Sequence, residues 1–117
     1  MKDFLLLIRT TGNVWSDLSP EQLQKHIEHG GAYINKLMQE GKLKGAQPLD
    51  KGSRIVTEDQ GILRDGPFNE TKEVIAGYFH IVAKDIDEAV AIAKANPIFK
   101  DIPTKIEVHP IMAVGGN

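Results

Sequence analysis

The sequence predicts an α+β fold on the ferredoxin-like β-α-β-β-α-β plan, with a short hairpin inserted between its second and third strands. Three observations carry the prediction. An apolar run at the start leads straight into a capped amphipathic helix. An eleven-residue alternating strand, Glu73 to Ala83, leads into a second capped helix. A final alternating strand, Thr104 to Met112, closes the chain. In this plan an antiparallel four-stranded sheet carries both helices on one face, and the first strand lies between the third and the fourth.

Taken in order, Lys2 to Arg9 is nearly continuous in apolar residues and is bounded by Thr10-Thr11-Gly12-Asn13, so it reads as a central strand covered on both faces. Its apolar part, Phe4 to Ile8, is too short for a signal segment or a membrane span. Trp15 follows in a loop, as a lid or a core plug. Ser19-Pro20-Glu21-Gln22 starts a helix: Ser19 caps, Pro20 suits the first helical position and Gln22 completes a capping box. Leu23, Ile27, Gly30, Ile34, Leu37 and Met38 form one apolar stripe, and Gly41 ends it. Gly30-Gly31 costs up to about 1 kcal/mol for each Gly against Ala, which suggests a kink or close approach of another backbone. His26, His29 and Tyr33 share a side of this helix and read first as a solvated flank.

Lys44 to Leu49 is a short strand ended by Pro48 and Asp50-Lys51-Gly52. Ser53–Thr57 and Ile62–Arg64, joined through Gly61, form a hairpin whose short polar strands suit a sheet edge. Along Glu73–Ala83, strict alternation places Ile75, Gly77, Phe79, Ile81 and Ala83 toward the helices. Val74, Ala76, Tyr78, His80 and Val82 fall on the other face. Asp85-Ile86-Asp87-Glu88 opens the second helix as a capping box, its alanines let it lie close on a sheet, and Asn96-Pro97 stops it. In Thr104–Met112, Ile106 and Val108 share one face while Lys105, Glu107 and His109 share the other.

A bare sheet face with apolar residues should not face water. Two such sheets packed face to face form a dimeric α+β barrel with an interior cavity, so a homodimer is expected. The 117 residues suit a single domain, 1–117. A net charge of −2 leaves no basic footprint, so neither nucleic acid nor an anionic membrane is an expected partner. The absence of cysteine excludes disulfides, thiolate zinc sites and a cysteine nucleophile, and it fits a cytoplasmic protein.

The densest chemistry lies between Asp65 and Gly77. Gly66-Pro67 is turn chemistry, Phe68 is a large apolar anchor, and Asp65, Glu70, Lys72 and Glu73 are ionisable. A loop fixed by its own anchor beside a sheet suits a binding site. The competing reading is a packed hairpin connection with a solvated charge cluster. The stretch Asp65-Gly66-Pro67-Phe68, with Glu70-Thr71-Lys72-Glu73 and Gly77-Tyr78 after it, resembles the signature of the YCII-related family, in the branch named for its DGPF motif. The likeness extends to the early apolar strand, the Ser-Pro-Glu helix start, Asp87-Glu88-Ala89 and the terminal Glu107-Val108-x-Pro110.

The resemblance implies a dimeric α+β barrel. The family's function is mostly unassigned. It includes dehydrochlorinase-type enzymes that use a His-Asp pair, and members of the DGPF branch occur beside or fused to regulatory sigma factors. Two positions depart from the family pattern: His109 stands where an arginine is expected, and Gly30-Gly31 where a bulky aromatic is usual.

The candidate catalytic residues are His80, His109, Glu107 and Asp65, because a histidine near a carboxylate suits acid–base work close to neutral pH. Phe68, Glu70, Lys72, Glu73, Tyr78, Tyr33 and Trp15 are the candidate ligand contacts. His80, His109 and Glu107 have no recognisable metal-ligand spacing, so no metal and no cofactor is expected. The expected function is binding of a small organic molecule in the dimer cavity, with lyase- or isomerase-type proton transfer as its catalytic form. The alternative is a non-catalytic regulatory module, such as a sigma-factor partner. The same polar residues also fit a buried hydrogen-bond network across a dimer interface.

Overall fold

A computed structural model describes residues 1–11, 17–50, 52–66 and 73–114. Its elements are β1 (Lys2–Thr11), α1 (Pro20–Gln39), β2 (Leu43–Pro48), β3 (Ile55–Asp59), β4 (Ile62–Gly66), β5 (Glu73–Ala83), α2 (Ile86–Lys94), α3 (Ile98–Asp101) and β6 (Thr104–Pro110). This is a mixed α+β architecture. Four strands form one antiparallel sheet in the order β2-β5-β1-β6, and β3 and β4 form a separate two-stranded sheet.

The apolar run of β1 sits between β5 and β6, but it is covered on one face only. Phe4, Leu6, Ile8 and Thr10 are buried, whereas Asp3, Leu5, Leu7 and Arg9 are half-buried. Of these, Phe4 and Leu6 pack with Tyr33 and Leu37 of α1, Ala89, Ile92 and Ala93 of α2, and Ile81 and Ala83 of β5. Both long helices therefore share one side of the sheet. The expectation of two covered faces is not met: among the described residues no helix lies over the other side of the sheet, the open face.

The helix starts follow the chain's own caps. Ser19 Oγ accepts from the Gln22 N–H at 3.1 Å, and Gln22 Oε1 accepts from the Ser19 N–H at 2.9 Å. At α2, Asp85 Oδ1 accepts from the Glu88 N–H at 2.9 Å, but Glu88 returns its bond to the Lys84 N–H, one residue before the cap. Asn96-Pro97 stops α2 as expected and then starts α3. Asn96 is buried, and its Oδ1 accepts from the Ile98 N–H at 3.0 Å. α3 is absent from the sequence expectation, because the stop signal of one helix is also the start signal of the next.

Three other expectations change. α1 runs unbroken through Gly30-Gly31, and among the described residues no neighbouring atom lies within 4 Å of where either Cβ would stand, so no backbone approaches there. The stripe that α1 buries is narrower than its apolar pattern: Tyr33 and Leu37 are buried, while Ile27 and Met38 are exposed. The β3–β4 hairpin turns at Gln60 and Gly61, both at positive φ, but it does not form an edge of the main sheet.

A bulge in β5 exchanges the two faces of its first residues. Ile8 pairs with Gly77 and Arg9 with Ile75, so Ala76 is the extra residue. Ala76 is buried with Ile8, Ile98 and Ile102, and Ile75 is turned outward, the reverse of strict alternation. Gly77 is required by contact: a Cβ there would stand 3.0 Å from the Gln47 carbonyl oxygen of β2.

Candidate functional site on the open sheet face

The open face is built by alternation on three strands. In one row His80 of β5 and His109 of β6 lie on either side of Leu5; in the next, Tyr78 and Glu107 lie on either side of Leu7. Strand spacing puts the backbones of the two histidines about 10 Å apart. Leucines thus run down the middle of the face, with ionisable groups on both flanks.

On the β5 side, His80 Nε2 is 3.0 Å from Asp3 Oδ1, and Lys44 Nζ meets the same oxygen at 2.6 Å. Hydrogen bonds from Lys44 and then His80 hold the Asp3 carboxyl below its ordinary range. An ionised Asp3 only accepts, so the His80 Nε2 carries the hydrogen in this contact and Nδ1 of the neutral ring holds the lone pair. Both His80 and Asp3 keep about a third of their side chains exposed (34% and 36%), so the pair is reachable.

On the β6 side, Arg9 Nε donates to Glu107 Oε1, and His109 Nε2 lies 3.6 Å from Glu107 Oε2. The Arg9 hydrogen bond holds the Glu107 carboxyl down, with His109 adding to it. Glu107 is thereby fixed as an anion and braces Arg9. The expected Glu107–His109 pairing is present as a longer contact. At the far end of the face, Glu73 meets Lys105 at 2.7 Å.

The structure separates the other candidates. Asp65 lies on β4, where its carboxylate meets Arg54 at 3.3 Å. Tyr33 belongs to the opposite side of the sheet: it is buried, its hydroxyl donates to the Ile92 carbonyl at 2.5 Å, and burial pushes its phenol pKa up. There it borders an open groove of about 610 Å³ between α1 and α2, on the helix side rather than the histidine side. Trp15, Phe68, Glu70 and Lys72 lie outside the described residues.

Sequence reasoning missed Asp3, Arg9 and Lys44. A signal for the first two exists, since alternation along β1 puts Asp3 and Arg9 at the two ends of the face that carries Leu5 and Leu7. It also missed a cluster on the helix side. His26 Nδ1 and His29 Nδ1 stand 3.3 and 3.2 Å from Asp101 Oδ2, so the presumed solvated flank is an α1–α3 contact. Burial there pushes the Asp101 carboxyl up, but hydrogen bonds from His29 and His26 outweigh it and hold it low. Among the described residues no group of histidines and carboxylates has the arrangement of a metal site, and no helix is long and apolar enough to cross a membrane.

No curated protein matches the chain. The family model for the YCII-related domain matches residues 3–113, a span that runs from Asp3 of the paired cluster to beyond the end of β6. The chain belongs to the YCII-related domain family.

Proposed function

We propose that this protein binds a small organic acid or aromatic molecule in a cavity between two open sheet faces, with His80 as a general base oriented by Asp3. The observation that carries the reading is the 3.0 Å His80–Asp3 contact, which lies beside Leu5, Leu7, Tyr78 and Val82 on the open face. Asp3 holds the Nε2–H, which leaves Nδ1 to take a proton from a bound C–H acid; among the described residues no side chain is bonded to Nδ1. Lys44, at the rim of the pair and 52% exposed, offers a cation to a substrate carboxylate. A His-Asp pair in this role agrees with the dehydrochlorinase-type chemistry that the family resemblance implies. Here the partner is Asp3 instead of Asp65 or Glu107.

The homodimer is part of the proposal. Leu5 and Leu7 are half-buried, no helix among the described residues lies over them, and a second sheet face would supply cover. The strand order and the shared helix side support the ferredoxin-like plan and its dimeric barrel form. Asp65-Gly66-Pro67-Phe68 supports assignment to the DGPF-motif branch.

Deuterium uptake from D2O into a panel of small C–H acids, followed by proton NMR, tests the chemistry. The expected outcome is enzyme-dependent exchange that falls by about 100-fold or more in His80→Asn. Ligand binding detected by thermal shift, with exchange equal in wild type and His80→Asn, would leave a binding protein and end the catalytic reading.

A further inference from the structure

We infer that His109 is the acid partner of His80: it returns a proton to a second carbon of the molecule that His80 deprotonates, and the reaction is migration of a double bond. The assignment rests on His80 being the base proposed above, and it names the reaction class of the same face.

The two flanks of the open face repeat one arrangement. On the β5 flank a cation, Lys44, and His80 share the Asp3 carboxylate. On the β6 flank a cation, Arg9, and His109 share the Glu107 carboxylate. Each histidine presents Nε2 to its carboxylate, at 3.0 Å for His80 and 3.6 Å for His109. Among the described residues no side chain is bonded to Nδ1 of either ring. Leu5 pairs with His80 on one side and His109 on the other, so the two rings stand in one row. A single His–carboxylate contact can be a surface ion pair of little consequence. The same triplet on both sides of an apolar residue can take a proton at one end of a bound molecule and give one at the other.

The spacing selects the reaction. Strand geometry sets the two backbones about 10 Å apart, and side chains stand roughly perpendicular to a sheet. A reach of about 3 Å from each ring nitrogen leaves roughly 4 Å between the two reacting carbons. That is too wide for a single stereocentre and suits the ends of an unsaturated stretch about three or four carbons long. In the step, the C–H bond beside His80 breaks and its proton goes to Nδ1. The bonding pair becomes a new C=C bond, and the old double bond gives its pair to a new C–H bond at its far carbon. The proton for that bond comes from Nδ1 of a His109 imidazolium, whose Nε2–H keeps facing Glu107. His80 ends charged and His109 neutral, so the charge of the face is conserved and nothing is oxidised or reduced. Water restores the starting protonation, because 34% of the His80 and 51% of the His109 side chain stay exposed. A carbonyl beside the first carbon makes its C–H acidic, so the substrate class is a β,γ-unsaturated ketone or keto acid.

Vinylpyruvate and allyl phenyl ketone are the probes, incubated with the full chain in D2O. Proton NMR reads exchange beside the carbonyl and formation of the conjugated product. The wild-type chain is expected to do both, with deuterium at the far carbon of the product. His109→Asn and His109→Gln are expected to lower the ratio of isomerised to exchanged molecules by about 100-fold or more, and Glu107→Gln, which acts by positioning His109, by about 10-fold. Loss of folded protein lowers both signals together and leaves this ratio unmoved. An unchanged ratio in both His109 variants would overturn the role of His109 and leave His80 as the base. Exchange without isomerisation in the wild type would do the same. Absence of exchange in the wild type would overturn the His80 reading, and the role of His109 with it.

Discussion

The two sides of β1 are made by alternate residues of one ten-residue strand, and they differ in what lies above them. Phe4 and Leu6 pack with α1 and α2, Ile8 packs with Ile98 of α3, and all three are buried. Among the described residues Asp3, Leu5, Leu7 and Arg9 meet no helix, and the charges among them are paired sideways, Asp3 with Lys44 and His80, Arg9 with Glu107. A buried face cannot hold charges without strong compensation, so ionisable chemistry collects where the fold leaves the sheet bare. The core side carries stability. The open side carries the candidate function.

Substitutions on adjacent residues of β1 give the largest contrast. Leu6→Ala removes a fully buried side chain and is expected to cost about 3 kcal/mol by urea denaturation. Leu7→Ala is expected to cost about 1 kcal/mol or less at low protein concentration, where the open face is wet. A rising cost of Leu7→Ala with concentration would mean that a second copy covers it. Equal costs for both at low concentration would break the contrast between the faces.

Next in size, Gly77→Ala sets a Cβ against the Gln47 carbonyl and is expected to destabilise by roughly 1–2 kcal/mol. Ser19→Ala, which removes the α1 cap, is expected to lower stability by about 1 kcal/mol and serves as a control distant from the open face.

The pH dependence is the smallest effect. The Asp3, Glu107 and Asp101 carboxyls are all held below their ordinary values in the folded chain. Their stabilisation is present above the unfolded carboxylate pKa of about 4 and is lost as pH falls through the lowered native values. Acid titration of unfolding should show stability falling below about pH 4, and Asp3→Asn should flatten the part due to the open face. An unchanged acid limb in Asp3→Asn would mean that the Asp3 cluster contributes nothing to folding in water.

Much of this fold is legible in the sequence because its signals are local. The Ser19 box, the Asp85 cap, the Gly41 stop and the eleven residues of β5 all act through near neighbours. The site was less legible because it depends on register. His80, His109, Tyr78 and Glu107 follow from alternation, but Asp3 joins His80 only through pairing of β1 with β5, and Lys44 reaches the same oxygen from β2. The bulge at Ala76 has no local signature, and it alone decides that Ile75 faces outward while Ala76 enters the core. Asp65 drew notice for its motif, yet its hairpin carries it to Arg54.

A screen of small organic acids and aromatics by ¹H–¹⁵N NMR on the wild-type chain tests the open face most directly as the functional surface. Ligand-induced shifts are expected on Asp3, Leu5, Leu7, Tyr78 and His80, with the amides of α1 and α2 unmoved. Shifts confined to the groove that Tyr33, Lys36 and Ala91 border, with His80 silent, would contradict the assignment and move the site to the helix side.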